Sequence, residues 1–462
     1  MKPFSLSAVL SENVQRRRRD PTRIIVGSFL AVIACGTLLL MLPIANRGGQ
    51  VPRLLDALFT ATSATCVTGL VVFDTYTQFT VFGQVVILLL IQIGGLGLVT
   101  LTSFFNFAIG KRMGLAGLRL ASESVSISDA GQARALLKFV IQVAALFELI
   151  GAVLLCFSFV PRFGPEGVFI AVFMSISLFC NAGFDILGRI QPGASLMAYA
   201  SDPYVLAVLA FLIVAGGMGF LVWQDLANFP RTRRLRTHTK LVLVVSAGLF
   251  VLGTAGILLM EYSNPLTLGP MPFGEKLLNA AFQSVSARTA GCNSFSLGDM
   301  GYFTKIFMSL LMLIGAAPGG TGGGVKVTTV SVVLLAVAGV VRGRDEAIVY
   351  GRRIDHKTVY KSLTIVMLSL LAVTAAALTL FYNTGPEINE VDSIFEAVSA
   401  FATVGLTVGV TALMNPVARI VTIVTMFIGR VGPVSLALSL AGRHERAADR
   451  RMVPPQAQIM VG

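Results

Sequence analysis

The sequence predicts an all-α polytopic membrane protein: four helix–pore-helix–helix repeats, giving eight transmembrane spans and four re-entrant hairpins around a central pore. Three observations predict it. Of the 462 residues, 55% are hydrophobic and only 13% charged, with a mean hydropathy of +0.80. Soluble domains carry about 25% charged residues, so this chain is built for lipid. There the backbone must satisfy its own hydrogen bonds, which calls for helices. Next, the polar segment Thr65-Cys66-Val67-Thr68-Gly69-Leu70 recurs as Cys180-Asn181-Ala182-Gly183-Phe184, Arg288-Thr289-Ala290-Gly291-Cys292 and Ala402-Thr403-Val404-Gly405-Leu406. Their glycines stand 114, 108 and 114 residues apart by subtraction of residue numbers, a domain-sized period. Last, the net charge of +13 falls in clusters that alternate with these segments. They are Arg16–Arg19 with Arg23, Lys111 to Lys138, Arg231 to Lys240, Arg342 to Lys361 and Arg443 to Arg451. That is a positive-inside pattern with both termini cytoplasmic, and it argues against a nucleic-acid footprint.

The repeat extends upstream of each glycine. Phe59, Phe173 and Phe395 precede it by ten residues, and Ser63, Ser177 and Ser399 by six; Phe282 and Ser286 stand at nine and five, one residue short. Asp56, Glu166, Glu275 and Asp392 open the upstream segments and suit helix N-termini. Each segment therefore reads as a half-length helix running into a glycine-containing turn.

In order, residues 1–21 are a basic cytoplasmic arm. Repeat 1 (22–112) holds a span over 22–43, an outer loop from Asn46 to Pro52, a half-helix over 54–64, a turn at 65–71 and a span over 80–109. Repeat 2 (134–229) holds spans over 135–159 and 203–228 around a half-helix at 167–179. Repeat 3 (240–341) holds spans over 240–261 and 303–341 around a half-helix at 275–287, the second span being broken. Repeat 4 (357–441) holds spans over 358–382 and 415–441 around a half-helix at 391–401, and 442–462 is a cytoplasmic tail. The second spans share a pattern: Gly94-Gly95-Leu96-Gly97, Gly216-Gly217-Met218-Gly219, Gly319-Gly320-Thr321-Gly322 and Gly429-Arg430-Val431-Gly432. Glycine there permits close approach or a break.

The turns carry the chemistry. Four half-helices aimed at one axis present their partially negative C-termini to it. Extended backbone beyond them offers carbonyl oxygens that can replace a monovalent cation's hydration shell. Candidate coordinating residues are Val67, Thr68 and Gly69; Asn181, Ala182 and Gly183; Thr289, Ala290 and Gly291; Thr403, Val404 and Gly405. The plainer alternative is four outer turns with incidental glycines, against which stand the half-helices and the recurring Phe and Ser.

A second candidate is the stretch 315–326, with Gly315, Gly319, Gly320, Thr321, Gly322, Gly323, Gly324 and Lys326. Its six glycines and Pro318 cannot stay helical in mid-span, and Val325 stands where a phosphate-binding loop needs glycine. It reads as an intramembrane gate loop, with a packing kink as the alternative. A third is Arg430, costly in an apolar span at about 2.5 kcal/mol or more; it reads as a cation barrier, or else as a structural arginine satisfied by backbone carbonyls. Glu148 and Glu261 read as isolated carboxylates, Asp74, Asp185 and Asp299 as outer-mouth residues, and His238, His356 and His444 as cytoplasmic. The five cysteines lack CxxC spacing, so neither a disulfide framework nor a metal site follows.

The four glycine turns and their flanks resemble the Trk/Ktr/HKT potassium transporters over nearly the whole chain from residue 22. In that family, glycine at all four sites goes with potassium selectivity, so Gly69 at the first site implies potassium. The resemblance further implies that 315–326 is the gate loop and Arg430 a pore arginine. Room for one span before the first half-helix is similar to the Ktr-type branch. That implies a homodimer on a cytosolic ring of nucleotide-binding regulatory subunits. No covalent cofactor is expected, and nucleotide would act only through that separate subunit, because no GxGxxG follows a strand. A sodium effect is left open. The expected function is potassium uptake through a channel-like pore. The alternative is an ion-coupled carrier with alternating access, which would favour inverted repeats. A membrane-embedded enzyme would need parts that the sequence does not offer: paired carboxylates, an in-membrane histidine or a nucleophile–base pair.

Overall fold

The computed structural model describes residues 21–97, 130–344 and 346–433. The basic arm, the loop holding Lys111, Arg112 and Arg119, and the tail holding Arg443 to Arg451 lie outside the described residues. Those described form sixteen α-helices and one two-residue strand pair, Ile348–Val349 with Arg352–Arg353. The longer helices are α1 (Pro21–Leu40), α2 (Leu54–Cys66), α3 (Val81–Leu96), α4 (Ala130–Phe163), α5 (Glu166–Phe179), α6 (Pro203–Gly217) and α7 (Phe220–Thr232). They continue with α8 (Thr237–Glu261), α9 (Phe273–Ser286), α10 (Tyr302–Leu313), α11 (Val327–Val341), α12 (His356–Asn383), α13 (Glu390–Ala402) and α14 (Pro416–Val431).

The half-helices predicted from the repeat are α2, α5, α9 and α13, of 13, 14, 14 and 13 residues. At 1.5 Å per residue each is about 20 Å long, too short to span. Each carries its predicted acidic residue in the first turn. The recurring Phe59, Phe173, Phe282 and Phe395 are all buried, anchoring these helices in the core. One core cluster is built mainly from α3 to α6 and the other mainly from α8 to α14; the half-helices α2 and α9 contribute to both, while α5 lies in the first and α13 in the second.

Neighbours follow one rule. α3 packs on α5, α6 on α9, α10 on α13, and α14 returns to α2. The second helix of each unit thus supports the half-helix of the next, and the fourth closes on the first.

Three of the second spans are interrupted at a glycine. Gly97, Gly219 and Gly432 adopt nearly one conformation, with φ/ψ of 82/133°, 88/136° and 91/133°. Glycine alone enters that region freely, so α3 ends at Leu96 and α14 at Val431; the remainder of those two expected spans, 98–109 and 434–441, lies outside the described residues. The span expected over 203–228 bends by 95° between α6 and α7. Gly94, Gly216 and Gly429, three residues earlier in each case, pack against the carbonyls of Thr65, Phe179 and Phe401, each four residues before its turn glycine. A side chain there would collide with backbone. The third copy departs: Gly319 meets open space, because 314–326 is already loop between α10 and α11. As a result, among the described residues only α4 (over Leu137–Phe163), α8 and α12 are long and apolar enough to cross unaided, or four spans counting the bent pair.

Candidate functional site

The half-helices end in a shared, strained way. Val67, Asn181, Thr289 and Thr403 have φ of 58°, 58°, 81° and 50°. Such left-handed values cost a non-glycine residue about 1–2 kcal/mol. Two residues on, Gly69, Gly183, Gly291 and Gly405 have φ of 94°, 68°, 81° and 90°. The residues between, Thr68, Ala182, Ala290 and Val404, are not left-handed. In a regular strand successive carbonyls alternate sides; alternating the handedness turns them toward one side.

The recurring serines hold the turns. Ser63 and Ser399 Oγ accept from the N–H of Gly69 and Gly405, both at 3.1 Å. Ser177 Oγ donates to Phe184 O at 2.6 Å, and Ser286 Oγ to Cys292 O. Backbone bonds from Thr68, Ala182 and Val404 N–H reach Ser63, Ser177 and Ser399 O at 2.7–2.9 Å, five residues back. In the third turn Ala290 N–H reaches Ser286 O at 2.9 Å, four back, which absorbs the residue missing there.

The turns meet one another cyclically. A Cβ on Gly69 would lie 2.5 Å from Ala182 O, one on Gly183 2.6 Å from Ala290 O, and one on Gly291 2.5 Å from Val404 O. One on Gly405 would strike Thr68 O. In every case the oxygen belongs to the residue before the next glycine, so four carbonyls and four glycines form a closed ring. Below it, Asn181 and Thr289 side chains are hydrogen-bonded at 3.1 Å across two turns.

The loop between α10 and α11 lies against this ring. Gly323 N–H donates to Thr403 Oγ1 at 3.0 Å, and Gly322 abuts Thr289. Thr321 Oγ1 donates to Phe179 O at 3.1 Å, and Ala317 N–H to Gly217 O at 3.0 Å. Gly315 N–H donates to Val325 O at 2.9 Å, closing the loop's neck. Gly320 packs near Gly216 and Gly217 O, and Gly324 against Ala402. Lys326 Nζ donates to Gly322 O at 2.6 Å, so its charge staples the loop. Gly319 stands apart from the ring; its carbonyl accepts from Phe220 N–H at 3.0 Å.

Arg430 joins three units. Its guanidinium donates to Thr321 O in the loop and to Gly94 O at the end of α3. The arginine is satisfied by backbone carbonyls, and those carbonyls belong to the loop and the first unit.

Several polar groups read as bland or unread in the sequence have specific partners. Asp56 pairs with Arg419, and Lys305 with Asp392 at 2.8 Å, both joining neighbouring units. Buried Glu396 accepts from Thr407 and Thr411. Glu261 is not isolated: Asn264, Thr267, Thr304 and Gly301 N–H all donate to it. Nor is Glu148, which accepts from Gln92 at 2.9 Å. Acidic residues at a half-helix start look like dipole partners in sequence; only their basic partners identify three of them, Asp56, Glu166 and Asp392, as ion pairs with Arg419, Arg189 and Lys305. On the ring's far side, Asp185 accepts from Leu187 N–H at 3.1 Å, and burial beside Asp74 pushes its carboxyl up to about 6.

A family model described as "TrkH: Cation transport protein" matches residues 2–449. The chain belongs to the TrkH family of cation transport proteins. It is 37% identical to the potassium/sodium uptake protein NtpJ of Enterococcus hirae over 97% of this chain and 98% of that one. It is 39% identical to the Ktr system potassium uptake protein B of Bacillus subtilis, covering 92% and 94%. It is 40% identical to the protein of that name from Vibrio alginolyticus, covering 91% of each. Among solved structures, the potassium transporter TrkH from Vibrio parahaemolyticus matches with a TM-score of 0.70 at 20% identity, over 93% of this chain and 87% of that one. Its fold is that of this TrkH-family chain. The expected resemblance is therefore established, and with it a multi-pass membrane protein that transports cations.

Proposed function

We propose that this TrkH-family chain takes up potassium across the cell membrane through a selective, channel-like pore formed by eight spans and four re-entrant hairpins. The observation that carries the reading is the closed ring in which each glycine's missing side chain makes room for a carbonyl of the next turn. Such a ring selects by dehydration: carbonyls replace bound water for one ion size, and binding stays weak enough for release. Names of relatives that include potassium and sodium uptake support potassium as cargo with a sodium effect.

The loop 315–326 serves as the gate, held under the ring by Thr403 and Arg430. Relatives named as parts of a Ktr system support a multi-component assembly. In our reading a homodimer, termini in the cytoplasm, stands on a nucleotide-binding ring that moves this loop.

Purified protein in liposomes tests the proposal. Steady tracer flux down a potassium gradient, with no co-ion and with rejection of sodium, is the expected result. Flux that stops without a stoichiometric co-ion would replace the pore by a coupled carrier.

A further inference from the structure

Glu396 takes no part in the ring or the gate described above, yet its surroundings assign it a task. It lies mid-helix in α13, nine residues before Gly405, and is fully buried. Its carboxylate accepts from Thr411 Oγ1 and, at 3.0 Å, from Thr407 Oγ1. The Val408 N–H faces the same group. Thr407 is the second residue past the glycine, and its hydroxyl accepts from Gly409 N–H at 3.0 Å. One side chain thus ties the half-helix to the outgoing backbone from behind.

Comparison of the four turns explains the need. In the second and third, the recurring serine binds the carbonyl just past the glycine, Phe184 O or Cys292 O. In the first and fourth, it accepts from the glycine's own N–H instead. The outgoing segments of the first and fourth turns therefore get nothing from their serines, and of these two the fourth has Glu396 as its tether. The corresponding positions of the other half-helices are Thr60, Met174 and, allowing for the shorter third copy, Gln283; none is acidic. A buried acid is costly unless donors satisfy it, and here three converge.

We propose that Glu396 is a positioning residue for ion selection. Acting through Thr407 and Thr411 and never touching the ion, it fixes the carbonyls of the fourth turn. The inference rests on the ring acting as the selecting element. With the tether cut, the segment after Gly405 can close around a smaller cation, so sodium discrimination falls before conduction does.

The test compares sodium and rubidium tracer uptake by purified protein in liposomes. Glu396→Val is expected to raise the sodium-to-rubidium ratio about fivefold or more, and Thr411→Val by about half that factor. The double variant should do no more than Glu396→Val alone, since both cut one tether. Glu396→Gln, whose amide can engage both hydroxyls, should restore the ratio. If Glu396→Val fails to fold, Thr411→Val carries the test. Unchanged ratios in these variants, or effects that multiply in the double variant, would overturn the proposal while Gly69→Ser still lowers selectivity. A Gly69→Ser variant with unaltered selectivity would overturn the ring reading as well.

Discussion

The carbonyl oxygen of Thr68 occupies the space that a side chain on Gly405 would need, and this contact joins the last turn to the first. It is tighter than the other three of the ring. Relief of a collision with backbone requires the backbone itself to move, unlike a collision with a flexible side-chain tip.

Substitution of the ring glycines should therefore be graded. Gly405→Ala should disturb selection more than Gly69→Ser, and both should weaken discrimination against sodium. Each adds a left-handed penalty of about 1–2 kcal/mol to the clash. Competition of sodium with rubidium uptake measures it; equal selectivity in both variants and the parent would remove the ring from ion selection.

Arg430 should restrain flux by holding the loop. Arg430→Ala removes charge-assisted bonds to Thr321 O and Gly94 O, each contributing about 1.5–3 kcal/mol. Unstimulated rubidium uptake should rise by about tenfold or more, with sodium discrimination retained because the ring is untouched. Uptake at the parent rate would leave the arginine as a structural bridge alone.

Lys305 and Asp392 form a buried pair between α10 and α13. Asp392→Asn or Lys305→Met alone should lower stability by about 3–5 kcal/mol, since the surviving charge is stranded. The double variant Lys305→Met with Asp392→Leu should recover most of that. Thermal unfolding in detergent checks it, and a double variant as unstable as the sum of the singles would refute the pairing.

Outer pH should tune uptake through Asp185. Its carboxyl is pushed up to about 6 by burial and by Asp74, so it is charged above that pH and neutral below it. As outer pH falls from about 7.5 to 5.5, the negative charge beside the ring is lost and the half-saturating potassium concentration should rise. Asp185→Asn should show the weaker affinity at all pH values, with this dependence flattened. A parent profile that survives in Asp185→Asn would assign the effect elsewhere.

Much of this was legible before any coordinates. Hydropathy and the glycine period identified the four half-helices, because a helix too short to span stands out between apolar runs. The recurring Phe and Ser mark the core anchor and the turn clamp, and the one-residue gap before Gly291 appears as a four-residue in place of a five-residue backbone bond. The helix breaks at Gly97, Gly219 and Gly432 each fall on the last glycine of the shared pattern (GGxG in the first two, GRVG in the fourth), yet they read through as continuous spans, because hydropathy does not register φ. The reach of Lys326 to Gly322 O, four residues back, was not legible in the sequence, because it depends on how the loop folds.

By itself, the sequence determined the class of molecule, the number of turns and the residue types at each, since these depend on local chemistry repeated at a fixed interval. Tertiary structure alone decided which turn faces which and how the ring closes. It also decided that Arg430 bridges the loop to the first unit, and that Asp392 and Glu396, four residues apart, serve different partners. Those relations join residues up to several hundred positions apart, and no local pattern encodes a distance that only packing creates.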